Sequence, residues 1–162
     1  QTGFYLQQWH WDRIISSPLK RAAESAEIIA EQLKLAPVAI MDVFMERDYG
    51  DCSGMTAAQR RQSFPDGIIP RQETLETLQR RVLTGLQQLT REPSARTLIV
   101  THGGVINSLL AHISHGEIGT GKSTLHNASL ALVQYQQGWQ ILAYNLISHL
   151  DQFNHTVASD KT

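Results

Sequence analysis

The chain is short of cysteine, of aromatic residues and of net charge, and these shortages exclude several classes of protein. Cys52 is the only cysteine, so no internal disulfide framework and no CxxC metal site can be built. Acidic and basic side chains almost cancel, leaving a formal net charge of -1. That balance argues against a dedicated nucleic-acid or membrane-surface binder. No apolar run approaches the ~20 residues that a membrane-spanning helix needs, and no secretory leader is expected. A cytoplasmic protein is the expectation. Internal repeats and low-complexity tracts are also lacking. The first residues, Gln1-Thr2-Gly3, bring no methionine, and the chain is expected to begin inside a longer sequence.

What is present is ordinary globular material. Hydrophobic residues make up 41% and charged residues 18% of 162 positions, enough to bury a core and too apolar for disorder. The length suits one domain, and a domain near this size removes about two thirds of its unfolded surface from water.

The periodicity alternates between strand and helix. Residues 4–9 read as the tail of a helix. Trp11 to Ser17 reads as a short buried strand, followed by a helix capped by Ser17 with Pro18 in its first turn. Ala22, Ala26, Ile29, Ala30 and Leu33 recur at spacings of three and four, so that helix is amphipathic. Val38–Met41 is a second strand candidate. Residues 42–72 hold Gly50, Gly54, Pro65, Gly67 and Pro70 and read as a loop-rich excursion with one short helix near 56–63. Helical spacing returns through Leu75, Leu78, Val82, Leu86 and Leu89 and ends at Glu92-Pro93. Thr97–Val100 is an apolar strand, and Val105 to Ile113 another helix. Residues 129–135 and 139–144 read as a final antiparallel hairpin at the sheet edge. From about residue 151 the chain is a polar tail. Strands alternating with helices give an α/β domain with a largely parallel sheet.

One string is deceptive. Gly116-Glu117-Ile118-Gly119-Thr120-Gly121-Lys122-Ser123 fits the phosphate-loop pattern GxxxxGK[ST]. Such a loop works only between a preceding strand and a following helix, where backbone N–H groups cradle phosphate. Here a helix precedes and a strand follows, so a solvent-exposed loop is the favoured reading and a nucleotide-binding module the alternative. His112 and His115, three apart on a predicted helix, have no third ligand placed by the sequence, and no metal is expected.

Three other places carry chemistry. Ser16-Ser17-Pro18-Leu19-Lys20-Arg21 runs from a strand end into a helix start, where ligands of open α/β sheets bind and where a helix N-terminus favours an anion. Arg21 adds donors suited to phosphate oxygens, though position alone also allows a plain surface arginine. Thr101-His102-Gly103-Gly104 follows another buried strand, and its glycines let a ligand approach the backbone. Glu46, in Glu46-Arg47-Asp48-Tyr49-Gly50, could act as a general acid if its surroundings suit; alone, a solvated loop carboxylate is the commoner case.

In this order and spacing the three segments resemble the histidine phosphatase superfamily, the phosphoglycerate mutase-like proteins. Minor marks agree: Glu73-Thr74 before the long helix, Asn127-Ala128-Ser129 at a strand entry, and Ser148-His149-Leu150. The resemblance spans about residues 1–150, with 151–162 as the tail. It implies a three-layer fold: a mixed, mostly parallel sheet with helices on both faces. It also implies phosphoryl transfer through a phosphohistidine, without metal or other cofactor. Arg21 would bind phosphoryl oxygens, His102 and the N–H of Gly103 would stabilise the transition state, and Glu46 would be the acid-base. The family's Arg-His-Gly stretch, whose histidine is the nucleophile, does not occur in this sequence. It is expected upstream of Gln1 together with the first strand, and the fragment alone is expected to be inactive.

The resemblance favours a phosphomonoesterase over a mutase, because family mutases carry a longer segment between the acid and the Glu73-Thr74 mark. The alternatives are mutase-type transfer and a non-catalytic phosphate-binding module. Residues 55–71 are expected to form a substrate lid whose Phe64, Ile68 and Ile69 suit small phosphate esters without charge selection. The expected partner is a small-molecule phosphate ester, with no nucleic acid and no membrane; the oligomeric state is not legible.

Overall fold

The structure, a computed structural model, describes residues 1–92 and 94–151; the expected tail at 152–162 lies outside them. Three parallel strands form the main sheet in the order β2-β1-β3: β1 (Arg13–Ser16), β2 (Ala39–Ile40) and β3 (Thr97–Val100). Ser16 stands level with Ile40 on one side and Val100 on the other. All three strands therefore end at the same height.

Two neighbouring residues of β1 define the layers. Successive side chains of a strand point to opposite faces. Ile14 packs with Ala26 and Ala30 of α2 (Lys20–Leu33) after α1 (Thr2–Leu6). Ile15 packs on the other face. Its partners are Leu78, Val82 and Leu86 of α4 (Leu75–Leu89), Val105 of α5 (Gly103–Ile113), and Phe44. In β3, Leu98 and Val100 join the α2 side and Ile99 the α4–α5 side. Burying a Leu or Ile side chain contributes about 1.5–3 kcal/mol, so this alternation fixes which face each helix covers. The lid segment carries α3 (Ala57–Ser63).

A hairpin of β4 (Leu130–Tyr135) and β5 (Trp139–Leu146) is antiparallel, and α6 (Ser148–Asp151) follows it. Among the described residues this hairpin pairs only with itself and does not extend the three-stranded sheet as its expected edge. It is tied to the domain through side chains, with Trp139 packed against the α4–α5 cluster.

Two expected boundaries move. α2 starts at Lys20, and its N-cap position is Leu19, which makes no side-chain cap bond. Ser17 does not cap it because its hydroxyl is engaged elsewhere: Oγ accepts the Leu19 N–H at 3.2 Å and meets the His102 ring. His115 does not share a helix face with His112. α5 ends at Ile113, and His115 sits at φ 52, in the left-handed region that closes the helix.

Candidate active site

The carboxyl ends of the three level strands lead into the three segments singled out above. β1 runs to Ser17 and Arg21, β2 to Glu46, and β3 to His102 and Gly103. The topology thus gathers them at the edge where α/β sheets bind ligands. Thr101 Oγ1 donates to the Phe44 carbonyl at 2.7 Å, so the end of β3 is pinned to the segment that carries Glu46.

His102 is the N-cap residue of α5 and is 7% exposed. Its Nε2 lies 2.7 Å from Oγ of the fully buried Ser17. Burial holds its pKa below the ordinary imidazole value; the Glu46 carboxylate opposes this, and the Arg21 and Arg81 guanidinium groups reinforce it. These charges are therefore near enough to act on the ring. Gly103, the first residue of α5, is exposed and has open space where a side chain would stand. Arg21 is exposed on the first turn of α2.

Glu46 is half-buried, and its Oε1 accepts the Arg47 N–H at 2.9 Å. It leans over α5 so closely that a Cβ on Gly104 would lie 2.5 Å from that oxygen and 3.2 Å from the Tyr49 hydroxyl. Only glycine leaves room for this approach. Burial first, and the Glu46 charge second, push the Tyr49 pKa up, so Tyr49 stays a phenol with a proton to donate. Arg47 lies 5.8 Å over the Tyr49 ring and is held by the Glu73 carbonyl and Gln72 Oε1.

Arg81 holds this loop in place, and its part was not foreseen. Its guanidinium donates to both Glu73 oxygens at 2.7 and 2.9 Å. It also donates to the carbonyls of Val43 at 2.8 Å, Met45 at 2.7 Å and Glu46 at 3.1 Å. The signal in the sequence was an arginine on the apolar stripe of α4, between Leu78 and Val82. The Glu73 carboxyl is held below its usual range chiefly by the hydrogen bonds from Arg81.

Glu46, Tyr49, Gly103 and Gly104 line a cleft of about 450 Å³, which Asn107 and residues of the 120–127 loop close on the far side. Neither Arg21 nor His102 is among its lining residues. The phosphate-loop-like string belongs to that far wall. The Lys122 ammonium donates to the Gly116 carbonyl. Ser123 Oγ donates to Asn107 Oδ1 at 3.0 Å and accepts the Gly119 N–H at 3.0 Å. Its polar groups fasten the loop to α5, a helix precedes it and the next element is the strand β4, so it lacks the architecture that cradles nucleotide phosphates. Among the described residues no group of three or more His, Cys, Asp or Glu side chains is placed to hold a metal ion. No helix among them is long and apolar enough to cross a membrane.

Comparison with known proteins agrees with this architecture. Residues 1–147 match the histidine phosphatase superfamily, branch 1. The chain is 44% identical to the uncharacterized phosphatase PhoE of Bacillus subtilis strain 168, over 94% of this chain and 80% of that protein. It is 31% identical to a probable phosphoglycerate mutase, GpmB, of Klebsiella pneumoniae strain 342, over 85% of this chain and 73% of that protein. In three dimensions it resembles Bacillus stearothermophilus YhfR with a TM-score of 0.81 at 23% identity, covering 92% of this chain and 81% of the other. The chain belongs to the histidine phosphatase superfamily.

Proposed function

We propose that the protein is a phosphomonoesterase acting on small organic phosphates through a phosphohistidine intermediate. The observation that carries this reading is the seat of Glu46. Its carboxylate is braced by a backbone N–H, faces the N-terminal turn of α5 across a glycine, and acts electrostatically on His102. A proton donor beside a helix N-terminus and a buried imidazole suits departure of an alkoxide from phosphorus.

In this reading the phosphoryl oxygens lie against Arg21, His102 and the N–H of Gly103, where donors meet the charge that grows in the transition state. A nucleophilic imidazole attacks phosphorus, the P–O ester bond breaks, and Glu46 gives its proton to the leaving oxygen. Water then attacks the phosphohistidine, Glu46 takes the water proton, the P–N bond breaks and phosphate departs. The reading places that imidazole upstream of Gln1, on a strand beside β3. In support, β3 pairs only with β1 among the described residues. The unattached hairpin leaves Leu132, Leu142 and Leu146 exposed by 48%, 53% and 38%. Residues 1–150 then act as one domain that the upstream strand completes. The reading prefers hydrolysis to mutase transfer because only 27 positions separate Glu46 from Glu73. It treats the protein as cytoplasmic.

The test is to quench the natural full-length protein during turnover of a phosphomonoester and weigh it. A species heavier by one phosphoryl group, stable to alkali, labile to acid and mapped to a histidine, is expected. Steady release of phosphate with no such species would overturn the phosphohistidine reading, and absence of any phosphate release would overturn the phosphatase reading.

A further inference from the structure

Ser16 ends β1 and Ser17 follows it, and both are fully buried. A buried hydroxyl keeps its proton in a hydrogen bond. The Ser16 hydroxyl donates to the Ser17 carbonyl at 2.9 Å, so its proton is accounted for. The Ser17 hydroxyl has fewer choices. Its backbone is fixed, with the N–H donating to the Val100 carbonyl at 3.0 Å. Its Oγ accepts the Leu19 N–H at 3.2 Å, which uses a lone pair and leaves the hydroxyl proton to place. Among the described residues the one remaining partner of that oxygen is His102 Nε2, at 2.7 Å.

The direction of this bond decides the state of the ring. If Nε2 carried a proton and donated it, the Ser17 proton would be stranded in a fully buried site, which is costly. If Ser17 donates, Nε2 is the acceptor, and a neutral ring then holds its proton on Nδ1. Burial first, opposed by Glu46 and reinforced by Arg21 and Arg81, favours that neutral form. Among the described residues none of these three charged groups hydrogen-bonds the ring, so none competes with Ser17 for Nε2. Nδ1 is not spent on capping α5, and, unlike Nδ1 of His149, it is not a sealed atom without a partner.

Resting on the phosphomonoesterase reading, in which His102 meets the phosphoryl oxygens, we infer that Ser17 is a positioning residue: its buried hydroxyl donates to His102 Nε2 and holds the neutral ring as the Nδ1–H tautomer, leaving Nδ1 to donate to the phosphoryl group. An isolated histidine side chain prefers the opposite tautomer, so this state is imposed by the fold. With the proton on Nε2, a neutral ring would turn a lone pair towards phosphoryl oxygens, which accept hydrogen bonds and do not donate them. Ser17 touches neither the ester nor the attacking group; it acts through the ring.

The experiment is nitrogen-15 NMR of the natural full-length protein with labelled histidine, at about pH 8, above the ordinary imidazole value. The His102 signals are assigned by their loss in His102→Gln, and kcat/KM for p-nitrophenyl phosphate is measured in parallel. The wild type is expected to show a protonated, pyrrole-type Nδ1 and an unprotonated, pyridine-type Nε2. Ser17→Ala should shift the ring towards Nε2–H and lower kcat/KM by about tenfold or more, and Ser17→Thr, which keeps the hydroxyl, should recover part of both. A ring protonated at Nε2 in the wild type would overturn the inference, with no variant needed. So would a Ser17→Ala tautomer unchanged from the wild type, whatever its rate. Absence of p-nitrophenyl phosphate turnover in the wild type would instead strike the phosphatase reading, while the spectra still decide what Ser17 does to His102.

Discussion

Replacing Arg81 with methionine removes the brace under Glu46 while keeping an unbranched apolar stem on α4. The guanidinium holds a Glu73 side chain that is only 12% exposed, together with three carbonyls of the 43–46 segment. Removing one partner of a buried ion pair costs about 3–5 kcal/mol. Arg81 itself is 21% exposed, so water can partly replace it and the low end applies. A loss of about 3 kcal/mol lowers the Tm by about 6–12 °C in a domain of this size. The Glu46 backbone also loses its anchor, and under the acid-base role proposed for Glu46 a displacement near 1 Å costs about 100-fold in rate. Thermal unfolding followed by circular dichroism, and kcat/KM for a phosphomonoester well below the Tm, measure the two effects. Arg81→Lys should recover little, since a point charge cannot reach Glu73 and three carbonyls together. A Tm within about 2 °C of the wild type and unchanged kcat/KM would refute the bracing role and the magnitude drawn from burial.

Other perturbations separate packing from chemistry. Gly104→Ala should lower kcat/KM by about tenfold or more with a small change in Tm, because the new methyl group meets the Glu46 carboxylate and the Tyr49 hydroxyl rather than the core; kinetics and unfolding on one sample decide it. Gly85→Ala should destabilise despite better helix propensity, by about 1–3 kcal/mol, since its Cβ would stand 2.5 Å from Val43 Cγ2 and 3.0 Å from Phe44 Cζ; denaturant titration reads the sign. The His102 pKa is lowered on folding. As pH falls through the ordinary imidazole value of about 6.5, the unfolded chain takes up a proton that the folded one refuses. The resulting stability loss grows until the lower folded pKa is reached. Glu73, also lowered on folding, adds stability above the usual carboxylate range that is lost as pH falls through its folded value. The Tm should therefore drop on acidification, with a shallower drop between about pH 7 and about pH 5 in His102→Gln; parallel curves would contradict the burial argument.

The parts of this molecule legible in its sequence are those that depend on local pattern. Ala22, Ala26 and Ala30 already mark the face of α2 that the sheet covers, and the apolar run at 97–100 marks β3. Because parallel strands end level, three segments that follow strands are brought to one edge, which is why Glu46 and His102 could be paired at a distance of 56 positions. Other features depend on partners far away in the chain. Ser17 looked like a helix cap because Ser-Pro before a helix is a capping pattern. Its hydroxyl instead meets His102, 85 positions on, and no local signal shows that. Arg81 looked like one polar interruption of an apolar stripe, and its role rests on carbonyls of a loop with no periodicity. Apolar residues are what the lid sequence shows, while Arg60 and Arg61 of its three arginines line a separate cleft, with Phe64 and Ile69, that only the folded loop creates. The hairpin's separation from the sheet was likewise hidden, since alternation marks a strand but not its neighbour.

The most direct measurement concerns Glu46 as the proton donor to the leaving oxygen. kcat/KM is measured for wild type and Glu46→Gln with an alkyl phosphate, whose leaving oxygen must be protonated, and with 2,4-dinitrophenyl phosphate, whose leaving oxygen need not be. A general acid predicts a loss of about 100-fold or more for the alkyl ester and a loss below about tenfold for the dinitrophenyl ester. Equal losses on the two esters would mean that Glu46 shapes or charges the cleft without giving up a proton, and would contradict the account.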